Sequence, residues 1–182
     1  MKQLAVHLAN GFEETEAITI IDVLRRAGLN VQTVSVTDSK TVTGAHQVPI
    51  VADSLFDEVD YHSIDAILLP GGMPGAKNLS EHQGLREQIR QFDQANKMLG
   101  AICAAPLVFG HLGILEGKKA VCYPGFEKEL HGARVLKESV CVSGHIITSR
   151  GVGTALQFAL KLVEELVGKE KADQLAQAML VE

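Results

Sequence analysis

The chain is poor in several things, and each shortage narrows its function. It has only three cysteines in 182 residues, Cys103, Cys122 and Cys141, an odd number at wide spacings. With no CxxC pair and no Cys/His ligand cluster, neither a disulfide framework nor a structural zinc site is expected. Free thiols suit a reducing compartment. No block of like charge lies behind the formal net charge of -5, which argues against nucleic acid or an anionic membrane as a partner. No apolar run approaches the ~20 residues that cross a bilayer. The opening Met1-Lys-Gln-Leu-Ala-Val-His-Leu enters a strand pattern without the apolar region and cleavage site of a signal peptide. The expectation is a cytoplasmic protein with no membrane and no nucleic-acid partner. The seven histidines show no HExxH and no close pair. No GxGxxG follows the first strand, and the glycine-containing loop at 148–154 lacks a Walker A lysine. No metal and no organic cofactor is expected. Repeats, low-complexity linkers and signs of a second domain are absent too, so residues 1–182 read as one domain.

What is present is an ordinary globular composition, 46% hydrophobic and 21% charged, long enough to bury a real core. Strands are expected at Lys2–Ala9, Val31–Thr37, Ile64–Leu69, Met98–Ile102 and Lys119–Cys122, with a paired set at Val135–Val142 and His145–Ser149. Thr41–Val51, interrupted by Gly44 and Pro49, reads as a short hairpin. Helices are expected at Glu13–Ala27, Glu81–Ala95, Cys103 to about Leu112, Val152–Val167 and Lys169–Leu180, with one helical turn at Phe126–Leu130. The first is well marked. Ala17, Ile20, Ile21, Leu24 and Ala27 keep helical spacing, glutamates crowd the first turn, Arg25 and Arg26 close the last, and Gly28 follows. Strands alternating with helices indicate an α/β domain, a mostly parallel sheet with helices on both faces.

One cysteine stands out. Cys103 ends the apolar run Met98–Ile102, and Ala104-Ala105-Pro106 opens a helical pattern directly after it. A thiol there lies at the carboxyl edge of a parallel sheet, where such folds bind ligands. The turn is comparable to the elbow that presents serine in α/β-hydrolases, and a helix N-terminus favours the thiolate. The alternative is a small buried core residue, the simpler account of Cys122 and Cys141. Pro70-Gly71-Gly72 ends another buried strand; its amides suit an oxyanion hole or only a turn that needs glycine. Glu13, Glu14 and Glu16 suit a solvated acidic first turn. The functional reading is that one of them, Glu16, turns inward beside the thiol, where poor solvation raises its pKa and fits it for acid–base work. In Thr148–Thr154, Arg150 reads as a loop anchor and His7 as structural.

Gly11-Phe-Glu-Glu-Thr-Glu16, Leu68-Leu-Pro-Gly-Gly72, Gly100-Ala-Ile-Cys-Ala-Ala-Pro106 and Thr148-Ser-Arg-Gly-Val-Gly-Thr154 occur in order along essentially the whole chain. Together they resemble the ThiJ/PfpI superfamily, most closely its branch of small proteins related to the Parkinsonism-associated protein deglycase. The resemblance implies a flavodoxin-like three-layer sandwich and a homodimer. It maps a nucleophile onto Cys103, an acidic partner onto Glu16 and a backbone hole onto Gly72 and Ala104, with Gly71 beside them. It further implies a cofactor-independent glyoxalase or deglycase, converting methylglyoxal or its adducts with amines and thiols to lactate. Three positions depart from relatives. Ala104 stands where protease-like members carry histidine, which disfavours a protease or amidase. Tyr123 in Cys122-Tyr123-Pro124 and His46 stand where a histidine and an arginine of the deglycase fall. Tyr123 can still hydrogen-bond a substrate oxygen. Two other readings stay open: a redox sensor and chaperone working through oxidation of Cys103, and a non-catalytic binding module with Cys103 buried.

Overall fold

The computed structural model describes residues 1–181. The strands are β1 (Gln3–Leu8), β2 (Asn30–Ser35), β3 (Thr41–Thr43), β4 (Pro49–Val51), β5 (Ser54–Leu55), β6 (Ala66–Leu69), β7 (Met98–Ile102), β8 (Lys119–Ala120), β9 (Arg134–Val135), β10 (Val140–Ser143) and β11 (Ile146–Ser149). The helices are α1 (Glu14–Arg26), α2 (Gly75–Glu81), α3 (Gln83–Gln94), α4 (Pro106–His111), α5 (Ala155–Val167) and α6 (Lys169–Ala178). A seven-stranded sheet runs in the order β10-β11-β7-β6-β1-β2-β5. All its pairs are parallel except β10 with β11. β3 and β4 form the expected hairpin, outside this sheet.

Alternation along the central strands builds two cores. Leu4, Val6 and Leu8 of β1 join one, with Ile20, Leu24, Phe158 and Leu162 from α1 and α5. Ala5 of β1 joins the other, with Leu79, Ile89, Phe92 and Val108 from α2, α3 and α4. Because successive strand side chains point to opposite faces, a strand buried on both sides must be apolar throughout. His7 is the exception, fully buried, with Nε2 2.7 Å from the Tyr61 hydroxyl. Burial lowers its pKa to about 3, so it stays neutral and structural. The layered α/β fold is the one expected.

Several boundaries differ. The expected helix Glu81–Ala95 is α3, and an unexpected helix, α2, precedes it; the two are divided at His82, whose extended backbone breaks the run while its Nδ1 accepts the Leu85 amide at 3.0 Å. A histidine N-cap lacks the usual Ser/Thr/Asp/Asn signature, and Pro74-Gly75 masks the start of α2. The 135–142 segment is divided between β9 and β10, and Val121 and Cys122 lie beyond β8. β5, two residues long, is an edge strand too short to show a period.

Candidate active site

Cys103 sits in the turn between β7 and α4 with φ 65°. That left-handed backbone is strained for a residue with a Cβ, and it persists where surrounding structure over-determines it. Two hydrogen bonds do so here. The Cys103 amide donates to the Ser149 carbonyl at the end of β11 at 3.0 Å, and its carbonyl accepts the Tyr123 amide at 2.8 Å. The thiol is partly exposed, whereas Cys122 and Cys141 are buried as expected.

Behind the sulfur lies Glu16, in the first turn of α1 and fully buried. Its Oε2 accepts the Gly71 amide at 2.8 Å. Its Oε1 has no hydrogen-bond partner, and the carboxyl as a whole is coupled to the neighbouring Cys103 thiol. Burial is the main cause that raises the Glu16 pKa to about 7; the Gly71 amide and the thiol oppose it. The thiol is pushed up to about 12, first by burial and then by the Glu16 charge, against the Gly72 and Ala104 amides that hydrogen-bond it. The expected preference for a thiolate at the helix N-terminus is thus outweighed while Glu16 is ionised. The two groups titrate as one unit. A protonated Glu16 removes the repulsion and offers its O–H to the sulfur, so a single shared proton decides which atom carries the charge.

Glycine is required at both positions after Pro70. A Cβ on Gly71 would lie 2.5 Å from the Cys103 Cβ and 2.8 Å from Glu16 Oε2. Gly72 has φ 88°, and a Cβ there would run into the backbone of Gly11–Glu13. Gly71→Ala is therefore expected to cost about 1–3 kcal/mol of stability through overpacking and to separate thiol from carboxyl. Thermal melting together with the rate of Cys103 alkylation checks this; an unchanged melting point and alkylation rate would show that the pocket gives way freely.

A cavity of about 490 Å³ opens over the thiol, walled by Glu13, His46, Cys103, Tyr123, Arg150 and the 151–154 loop. His46, Tyr123 and Arg150 thus line one space with Cys103, while Gly71, Gly72 and Glu16 pack around the thiol outside that lining. The solvated-acid reading of the first turn is corrected. Glu13 N-caps α1, its Oε2 taking the Glu16 amide at 2.7 Å. Glu14 is buried and anchors the β3–β4 hairpin tip, its Oε1 accepting the His46 amide at 2.6 Å and its Oε2 2.9 Å from His46 Nδ1. Burial opposes its ionisation, yet the His46 ring and the nearby amides prevail and hold its pKa below the ordinary value. Glu14 in turn raises the His46 pKa. The 148–154 loop has two anchors. Thr154 Oγ1 accepts the Arg150 and Gly151 amides at 3.2 Å, and Arg150 Nη1 donates to the Lys137 carbonyl at 3.5 Å. Glu13 is the wall residue that sequence reasoning set aside; only the hairpin packing reveals its place.

Known proteins resemble this chain over nearly its whole length. The model of the DJ-1/PfpI family matches residues 2–165. Protein DJ-1 homolog B of Arabidopsis thaliana is 44% identical over 98% of this chain, which spans only 41% of that protein's length. A Caenorhabditis elegans protein named glutathione-independent glyoxalase DJR-1.2 is 37% identical over 90% of this chain and 87% of its own. The solved structure of oxidized Toxoplasma gondii DJ-1 superposes with a TM-score of 0.95 at 39% identity, covering 99% of this chain and 98% of that one.

Proposed function

The chain belongs to the DJ-1/PfpI family, and on that premise we propose that it is a cofactor-independent glyoxalase or deglycase that uses Cys103 as its nucleophile. The observation that carries the reading is the buried Glu16 carboxyl, coupled to the Cys103 thiol, one oxygen fixed by Gly71 and the other without a partner. A structural ion pair would satisfy both oxygens; a proton carrier needs one free.

The steps follow from the geometry. The Cys103 sulfur adds to the aldehyde carbon of methylglyoxal, and the aldehyde oxygen takes up a proton to give a hemithioacetal. The Gly72 and Ala104 amides, which already face the sulfur, meet the charge developing on that oxygen. Glu16 removes the proton from the former aldehyde carbon and returns it to the neighbouring carbon, while the hydroxyl proton on the first carbon passes to the former ketone oxygen, giving a lactoyl thioester. Water cleaves the thioester, releasing lactate and restoring the thiol. On a glycated amine or thiol the Cys103 sulfur displaces the amine or thiol from the adduct carbon, the leaving group takes the thiol proton, and the same hemithioacetal results. Arg150 and His46, whose pKa is raised first by the Glu14 carboxylate, border the cavity and suit an anionic product. Ala104, in place of a histidine, leaves no second base beside the sulfur for amide cleavage. The reading carries with it a homodimer in the cytoplasm, acting on small aldehydes or glycated adducts. The test is lactate formation from methylglyoxal by the purified protein with no thiol or metal added; no lactate overturns it.

A second reading shares the site. A partly exposed thiol flanked by two amides and a protonated carboxyl suits a sulfinate, whose oxygens accept all three hydrogen bonds. Mild peroxide is expected to add two oxygens at Cys103 and stop there, as read by intact mass. A ladder running on to three oxygens, or no gain at Cys103, would reject this role.

A further inference from the structure

We propose that His111, Glu129 and His131 form a binding site for a divalent transition metal, with Zn²⁺ as the ion that fits best. This inference stands apart from the reading of Cys103. The two histidines lie far apart in sequence, and the fold brings them together: their ring centroids are 5.4 Å apart. One donor atom from each histidine and from the Glu129 carboxylate lie within 4.8 Å of one another. Two imidazoles and one carboxylate select zinc-type ions over magnesium or calcium. A tetrahedral ion needs its donors about 3.3 Å apart, given metal–nitrogen distances near 2.0 Å. Rotation of the exposed His131 ring supplies the closure.

Two features show that the site is built rather than accidental. The first is Gly110. Its hypothetical Cβ would fall on the Glu129 carbonyl and 2.8 Å from the Leu130 Cα. Only glycine lets the 129–130 backbone lie against α4, and this close approach brings His111, the next residue, against Glu129. The second is Ser80, buried at the end of α2, whose Oγ is 3.0 Å from His111 Nδ1. That contact turns Nε2 toward Glu129 Oε2, 2.7 Å away. A hydroxyl both donates and accepts, so it accommodates the change that metal binding demands. Without metal, Nε2 carries the hydrogen and donates to Glu129. With metal, the Nε2 lone pair coordinates, and Nδ1 carries the hydrogen and donates to Ser80. Metal-bound histidines are oriented through such outer partners. An ion pair accounts for His111 with Glu129 but leaves His131 without a part.

His111 and Glu129 also wall a cavity of about 360 Å³ with Met73, Leu107 and Phe126. Three protein ligands leave a fourth position for water or a small anion from that space.

The experiment is equilibrium dialysis with Zn²⁺ on the full chain carrying Cys103→Ser, which keeps the reactive thiol from competing, alongside melting curves with and without Zn²⁺. One ion per chain and a rise in melting temperature are expected. His131→Ala and Glu129→Gln should each abolish the stoichiometric binding and the rise. Ser80→Ala should weaken affinity by roughly tenfold. Since His131 is exposed, its variant should melt at the parent temperature without metal. Binding that survives His131→Ala, or that is lost in His46→Ala and so belongs to the cluster around Glu14, overturns the proposal. Because the readout is binding rather than turnover, its failure leaves the glyoxalase reading untouched, and the converse holds.

Discussion

Cys103→Ser will leave the fold in place and remove lactate formation, lowering kcat by roughly a thousandfold or more. The substitution keeps shape and hydrogen-bonding backbone: the contacts to Ser149 and Tyr123 that hold φ at 65° are main-chain contacts. What changes is the atom. A hydroxyl is far weaker as a nucleophile than a thiol near neutral pH. Glu16 gives it no help, because its carboxyl must return a proton to carbon within the same cycle. Melting should therefore match the parent while turnover vanishes. Turnover that persists in the serine variant would show that the aldehyde is consumed elsewhere on the protein or by water at Glu16, and the proposed role of Cys103 would fall.

Glu16→Gln is expected to uncouple reactivity from catalysis. Glu16 raises the thiol pKa through its charge and its hydrogen bond, so an amide in its place lets the thiol titrate lower. Alkylation of Cys103 in the parent should show an inflection near pH 7, where the pair loses its first proton. In the glutamine variant this inflection should vanish. Lactate formation should fall by about 10²–10⁴-fold, the usual share of general acid–base catalysis. Stability follows the same group. Its pKa is raised from 4.5 to about 7 on folding, so the native state holds the proton more tightly. Its stabilising contribution is complete below the unfolded value and is lost as pH rises through 4.5 to about 7. The glutamine variant should lack that decline. A variant that still makes lactate within twofold of the parent would remove Glu16 from the mechanism.

Much of this was legible from residues alone. The sheet and most helices follow from periodicity, because burial on both faces leaves few polar positions to confuse it. The thiol and the Gly71–Gly72 turn follow from motifs at strand ends, and the family resemblance adds the Glu16 partner and the Ala104 amide. Three things were not legible, each for a physical reason. Glu14 and Glu13 look like dipole-matching surface acids, and only the hairpin folding back over α1 buries the first and places the second in the cavity wall. The break at His82 depends on a ring nitrogen capping a helix, which no propensity records. His111 and His131 share no local spacing, and only the close approach at Gly110 unites them.

The cavity wall is assembled from Glu13, His46, Cys103, Tyr123 and Arg150, and no two of these belong to the same element. This dispersal has a consequence for the order of events during synthesis. The chain leaves the ribosome N-terminus first, so Glu16 is made long before its partner. The Cys103 backbone then waits for Ser149, which emerges only when most of the chain has been translated. Until then the elbow has nothing to hold it, and the nascent thiol is an ordinary cysteine without the Glu16 carboxyl beside it. The assembled site is thereby deferred to the finished fold, and a truncated or half-folded product carries the sequence motifs without the geometry.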